Sequence, residues 1–348
     1  MLILRNLLFS ISCVLAVFLA VSLTGCRSEK KFEANYFDLF DTVTTISAYC
    51  TSGGQFDELS GYAYGELLKY HQLFDIYNNY DGVNNIKTIN DMAGKSPVKV
   101  DKEIIDLLLF SKKQHQKTDC KVNIAFGAVL KIWHDFRTKG AQNPQNAQLP
   151  PFDLLKSAAG HTDIDKIIIN ESLSTVYLED AQMSIDVGAV GKGFAAERAA
   201  AALAEKGFNS VLINIGGNIR AVGGGAKGRP WKVGVQNPRG NDILYTLNIS
   251  DLSVVTSGDY QRKYTVGGRD YHHIINPDTL FPSDYYTFVT VVCGDSAVAD
   301  ALSTALFNMP FEQGFSFAEK LPEADVLWGF ANGEVKYTGG FMKRIGGR

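Results

Sequence analysis

Residues 184–202, "SIDVGAVGKGFAAERAAAA", constrain the fold more than any other stretch. A strand-like run ends at Asp186, and Gly188, Gly191 and Gly193 lead directly into an alanine-rich helix. Glycines there let the backbone approach a neighbour or a ligand closely. The start of a helix also offers unpaired N–H groups to an anion. The turn is therefore a candidate diphosphate cradle, with Lys192 as its cation. Its GxxGxG spacing is neither the GxxxxGK[ST] of a P-loop nor the GxGxxG of a dinucleotide fold. A tight strand-to-helix turn would call for glycine in any case.

The rest of the chain divides around this motif. Before it, residues 56–77 and 101–118 have helical apolar spacing, the second opening on an Asp cap. Residues 41–50 alternate like a strand, 78–94 read as a polar loop or short helix, and 123–136 are apolar after a turn-like "NIAFG". Residues 138–151 are polar, end in a Pro pair and read as a loop. From 164 onward short strands and turns dominate, with two embedded helices and a closing hairpin over 324–340. That is an α+β plan.

The first 26 residues carry one early cation, Arg5, then a long apolar run ending in Leu23-Thr24-Gly25-Cys26. They resemble a bacterial lipoprotein signal peptide. The implied division is a signal over 1–25, a lipidated Cys26 with a polar tether over 26–37, and one domain over 38–348. Lipid would supply the membrane affinity, and the location would be extracytoplasmic, on the periplasmic or cell-surface face of a bacterial membrane. An uncleaved anchor or ordinary signal peptide is the plainer alternative. Cys50, Cys120 and Cys293 remain, an odd number without CxxC spacing, and read as buried structural thiols. A net charge of −3 argues against nucleic acid as a partner.

Three further stretches could carry chemistry. "NIGGNIRAVGG" (214–224) reads first as a hairpin turn. "SGDYQRKYTVGGRDYHHIINPDTLFP" (257–282) gathers Asp259, Tyr260, Arg262, His272, His273, Asn276 and Asp278 around short strands. Adjacent histidines on a strand face opposite ways, so one of the pair at most would serve a site as a base. In "VADALSTALF" (298–307), Asp300 and Thr304 stand one helical turn apart and offer two hard oxygens on one face. That suits Mg²⁺, which takes one or two carboxylates plus other oxygens. An Asp near a helix start is also often only a cap.

"DVGAVGKGFAAERA", "INIGGNIRAVG", "TSGDYQRKY…RDYHHIINPDTLFP" and "DSAVADALSTALF" together, in this order, resemble the ApbE-type flavin transferases. Weaker similarity reaches back to "FDTVTTI" and "NIAFGAVLKIW". The resemblance implies a compact, T-fold-like α+β domain with antiparallel sheets flanked by helices. It also implies Mg²⁺-dependent transfer of FMN from FAD to a Thr or Ser hydroxyl of a partner protein, with release of AMP. The partners it implies are flavin-accepting subunits of membrane redox complexes and exported reductases. By position, His273 would be the base, and Asp300 and Thr304 would hold the metal with Ala189 and Ser303. Asp186, Lys192, Asp259 and Ile274 would contact FAD. Ala125, Phe126 and Gly127 would line the flavin pocket, and Tyr77 would lie against the nucleotide. The chain departs from the family pattern at Val43, where Met is usual, and over "NNYDGVNNI" (78–86).

Three other functions compete. In an FAD pyrophosphatase water replaces the acceptor hydroxyl and FMN and AMP are released. A non-catalytic FAD-binding lipoprotein would need no base. A substrate-binding lipoprotein for transport would show two similar lobes, and the glycine pattern offers no second one.

Overall fold

The structure is a computed structural model that describes residues 28–240 and 242–346. Cys26 and the apolar run before it lie outside the described residues. The chain begins with β1 (Lys30–Leu39), β2 (Thr42–Cys50), α1 (Gly53–Phe74), α2 (Ile86–Asp91), β3 (Val98–Lys99), α3 (Lys102–Lys117), α4 (Gly127–Gln142) and α5 (Phe152–Ala159). Next come β4 (Ile167–Asn170), β5 (Thr175–Leu178), α6 (Gly191–Glu205), β6 (Ser210–Ile215), β7 (Asn218–Gly223), β8 (Trp231–Gln236) and β9 (Ile243–Ile249). β10 (Ser253–Gly258), β11 (Lys263–Val266), β12 (Arg269–His272), β13 (Phe288–Cys293), α7 (Ser296–Phe307), α8 (Phe311–Ala318), β14 (Ala324–Gly329) and β15 (Val335–Tyr337) complete it.

One eight-stranded sheet organises the molecule, in the order β1-β2-β6-β7-β10-β13-β14-β15. Every neighbouring pair in it is antiparallel. Alternate residues serve two different cores, as a pleated strand requires. On β10, Val255 faces the helices while Val254 faces the β8–β9 hairpin. On β13, Val289 and Val291 join the helical side, and Phe288 and Val292 the hairpin side. β13 is accordingly buried along its whole length. A third apolar cluster stands apart: Phe126, Val129 and Trp133 pack with Leu155, Tyr264, Ile275 and Leu280. It fastens α4 and α5 to the β11–β12 hairpin. The expected α+β plan and the closing hairpin are both present.

Several local expectations are corrected. Residues 30–37, read as tether, are the outer part of β1. Their polar side chains face solvent, while Phe32 stacks on Phe56 and Tyr36 on Tyr64. The composition of an edge strand with one wet face looks like that of a linker. The strand expected to end at Asp186 is reduced to a single bridge between Ser184 and Phe126. α4 runs on to Gln142, into the stretch read as loop, and only then gives way at Asn143. Cys50 and Cys293 are buried as expected, but Cys120 is exposed.

Candidate active site

The glycine turn is held by backbone. Gly127 N–H donates to Ser184 O at 3.0 Å, and Asp186 N–H donates to Ile124 O at 2.8 Å. A Cβ on Gly127 would meet Ser184 O at 2.3 Å, so the two segments run closer than a side chain permits. Asp186 then accepts from Gly188 N–H at 2.8 Å and shapes the approach to α6. Lys192, in the first turn of α6, bends back to Gly188 O at 3.4 Å.

Gly193 explains why the turn needs glycine. It packs directly on α7, where a Cβ would meet Ser296 O at 2.3 Å and Asp300 Cβ at 2.5 Å. Its N–H donates to Asp300 Oδ2 at 2.8 Å. The cap of α7 is supplied by Asp295, which accepts from Ala297 N–H and Val298 N–H at 2.8 and 3.1 Å. Asp300 is therefore free of the capping duty that was its plainest explanation. The residue is 4% exposed. Burial raises its pKa, against the opposing pull of Lys192, the Gly193 N–H and Asn218.

A second layer braces this contact. Arg220 on β7 forms a fork to Glu197 on α6 at 2.8 and 3.0 Å. Glu197 also accepts from Ser296 N–H at 2.7 Å, tying α6 to the start of α7. Ser296 Oγ meets Asn218 Oδ1 at 2.7 Å, and the Asn218 Nδ2 is buried without a partner.

These elements border a cavity of about 1040 Å³, at the upper end of the usual range for small-molecule sites. Asp186, Ala189, Lys192, Asp300 and Thr304 line one part of it. Tyr77, Phe126, His273 and Ile274 line it too, so these nine residues singled out from sequence share one space. Ala125, Gly127, Asp259 and Ser303 are not in the lining. Ala125 is fully buried behind it, and Gly127 has its close-packing role against Ser184. Asp259 sits past the end of β10, its N–H bonded to Thr287 O at 3.0 Å. Ser303 is turned into the core, where it meets Ser257 Oγ at 2.8 Å and donates to Asp300 O at 3.0 Å.

The two histidines have separate tasks. His272 Nε2 bonds Ser283 O at 2.7 Å and its Nδ1 accepts from Ile274 N–H at 3.2 Å, so it is a structural pin. His273 faces the cavity with Nδ1 buried and unpartnered. Burial, then the nearby Arg262, Lys192 and Arg137 cations, push its pKa down to about 3. The imidazole is neutral at physiological pH.

Sequence reasoning missed part of the lining. His134 and Arg137, three residues apart on α4, both face the cavity, and Tyr77 leans on the His134 ring at 5.2 Å between centroids. The i, i+3 spacing in "WHDFR" was the available signal. Asp75 was also missed: it accepts from Tyr77 N–H at 2.6 Å and from the Tyr80 hydroxyl at 2.8 Å, and so sets where Tyr77 stands. Gly216 and Gly217, at φ 56° and 93°, form the β6–β7 turn that the sequence suggested, and they also border the cavity.

Fold and site together define an α+β protein with a cavity of about 1040 Å³ bordered by the glycine turn before α6, the buried Asp300 and the neutral imidazole of His273. The chain belongs to the ApbE family, whose model matches residues 40–328. It is 32% identical to the FAD:protein FMN transferase of Treponema pallidum (strain Nichols) over 80% of this chain and 79% of that protein. It is 28% identical to that of Klebsiella pneumoniae (strain 342), covering 79% and 85%. The crystal structure of the ApbE protein from Thermotoga maritima superposes with a TM-score of 0.80 at 26% identity, over 91% of this chain and all of that one. The flavin transferase ApbE from Vibrio cholerae shares the fold, with a TM-score of 0.76 at 20% identity over 91% and 99%.

Proposed function

We propose that this chain moves the FMN part of FAD onto a Thr or Ser hydroxyl of an acceptor protein and releases AMP. The observation that carries this reading is the shared cavity. A neutral, unpartnered imidazole at His273 opens onto the same space as the Lys192 turn and the Asp300 carboxylate. A pure FAD binder has no use for that base. The names and coverage of the relatives support the same activity.

The residues present fit Mg²⁺. Asp300 supplies a buried carboxylate with one oxygen bound to Gly193 N–H, and Thr304 and the Ala189 backbone offer further hard oxygens in the lining. No group of three His, Cys, Asp or Glu suited to a metal occurs among the described residues. Mg²⁺ needs none, since it binds through one or two carboxylates plus substrate phosphates. Bound there, the ion would neutralise diphosphate charge.

His273 takes the proton from the acceptor hydroxyl, whose oxygen forms the new bond to the FMN phosphorus. The bond from that phosphorus to the bridging oxygen breaks, and AMP leaves with the electron pair. Lys192 and the N–H groups at the start of α6 offset the charge that develops. A base held near 3 is weak, so the diphosphate of bound FAD has to offset the three neighbouring cations and raise it. The cavity lining, with Phe126 and Tyr77, covers the isoalloxazine and nucleotide. Lipidation at Cys26 and an extracytoplasmic location belong to the same proposal, because they would place the site beside exported acceptors.

The test is one incubation. The mature chain, FAD, Mg²⁺ and a flavin-carrying subunit from the same cell are mixed and run on a denaturing gel. A fluorescent acceptor band that is lost with chelator is expected. Free FMN and AMP without a band would replace transfer by hydrolysis.

A further inference from the structure

Tyr77 faces the cavity, yet little packing holds it there. It is 52% exposed, and the ring beside it is His134, with centroids 5.2 Å apart. It sits between α1 and α2, outside any helix or strand.

What fixes Tyr77 is a chain of hydrogen bonds behind the cavity wall. One Asp75 oxygen accepts from Tyr77 N–H at 2.6 Å and from Asn78 N–H at 3.0 Å. The other accepts from Asn78 Nδ2 at 3.0 Å and from the Tyr80 hydroxyl at 2.8 Å. The Tyr80 oxygen also lies 3.3 Å from His71 Nε2. The hydrogen of that contact sits on Nε2, because His71 Nδ1 already accepts from Phe40 N–H at 3.1 Å. His71 therefore donates to Tyr80, and Tyr80 donates to Asp75, so each donor and acceptor in the chain is determined. Burial, then Asp75, push the Tyr80 pKa up to about 12, so the hydroxyl keeps the proton it donates.

The far end of the chain is anchored too. Phe40 and Asp41 make the β1–β2 turn at φ 55° and 52° without a glycine, and both line the cavity. Left-handed backbone at such residues persists only where its surroundings hold it, and it clusters at ligand sites. Here His71 takes the Phe40 N–H, and Arg262 donates to Asp41 O at 3.4 Å. Tyr80 itself is not in the cavity lining.

We propose that Tyr80 is a positioning residue for FAD: with His71 and Asp75 it holds Tyr77 in the pose that meets a planar ring of the dinucleotide. The inference rests on the reading above that FAD occupies the cavity. A ring set in advance loses less freedom on binding. Tyr80 lies within residues 78–86, where the chain departs from the family pattern, so the brace belongs to this chain's own loop.

The test is equilibrium binding of FAD to the full mature chain with Mg²⁺, read by flavin fluorescence, so no acceptor is needed. Tyr80→Phe should weaken FAD on the order of tenfold, and His71→Leu should do the same. His71→Gln puts an amide N–H where Nε2 stood and should stay within about threefold of the parent. The deciding measurement is made with Tyr77→Ala already present. There Tyr80→Phe should cost less than about twofold, because the ring it positions is gone. Unchanged FAD affinity in Tyr80→Phe would overturn the inference. So would an equal loss with and without Tyr77, which would make Tyr80 an ordinary brace of the fold. Should His71→Leu fail to fold, Tyr80→Phe with and without Tyr77 decides alone. A parent chain that does not bind FAD at all would instead refute the reading on which the inference rests.

Discussion

Replacing Gly193 by Ala should test how the site is held together. The added methyl would stand 2.3 Å from Ser296 O and 2.5 Å from Asp300 Cβ, and backbone on one side cannot rotate away. α6 and α7 must then separate. Overpacking of this kind costs about 1–3 kcal/mol. Separation also lengthens the 2.8 Å bond from Gly193 N–H to Asp300, and a hydrogen bond to a charged group contributes about 1.5–3 kcal/mol. The sum is roughly 2.5–6 kcal/mol, less the helix propensity gained from Ala, about 1 kcal/mol. Urea unfolding should show a midpoint lower by on the order of 1 M. FAD turnover should need more Mg²⁺, because Asp300 has moved. Gly191→Ala is the control. Its methyl would meet a side-chain atom, Val187 Cγ2, at 3.3 Å, and that atom can yield. Equal shifts in the two variants, or a Gly193→Ala midpoint indistinguishable from the parent, would refute the close-contact argument.

Asp300→Asn should separate stability from activity: removing a carboxylate whose burial raises its pKa should leave the metal-free fold at least as stable, while Mg²⁺-dependent turnover falls on the order of 100-fold or more. Denaturation without metal and turnover against Mg²⁺ concentration check the two halves. His273 has a folded pKa of about 3 against an ordinary 6.5, so the unfolded chain takes the proton first. The stability from its neutral form is complete above pH 6.5 and declines as pH falls towards 3, by about 1.4 kcal/mol per pH unit. His273→Gln should flatten that slope in urea midpoints taken between pH 7 and 4.5, and should slow transfer without weakening FAD binding. Glu197→Ala strands Arg220 and leaves Ser296 N–H unmet, so it should cost about 3–5 kcal/mol, read by thermal unfolding.

Much of the site was readable because its parts are local. Asp300 and Thr304 are one turn apart, and the glycine turn and His273 lie in short stretches dense with polar residues. What escaped was whatever depends on the third dimension. Asp259 and Asp186 are both acids beside a glycine-containing turn, yet only Asp186 lines the cavity. Ser303 is one residue from Thr304, and the helical rotation of about 100° between them turns it into the core. β1 was taken for tether because the aromatic rings it packs against belong to α1, far along the sequence. Arg137 and His134 were passed over because α4 reads as an ordinary amphipathic helix until the β11–β12 hairpin is folded over it.

That hairpin shows how the cavity draws on two cores at once. Asp300, Lys192 and Gly193 depend on α6 packing against α7 within the main helical core, which the Arg220–Glu197 fork locks. Arg137 and His134 lie on α4, held by the third cluster, where Trp133 Nε1–H donates to Leu280 O at 2.9 Å. His273, just after β12, stands between the two. Ile274 beside it belongs to the main core, Ile275 to the third cluster, and the His272 ring packs on Phe307 of α7 at 5.5 Å between centroids. A substitution that parts α6 from α7 should therefore disturb the His273 segment as well as Asp300.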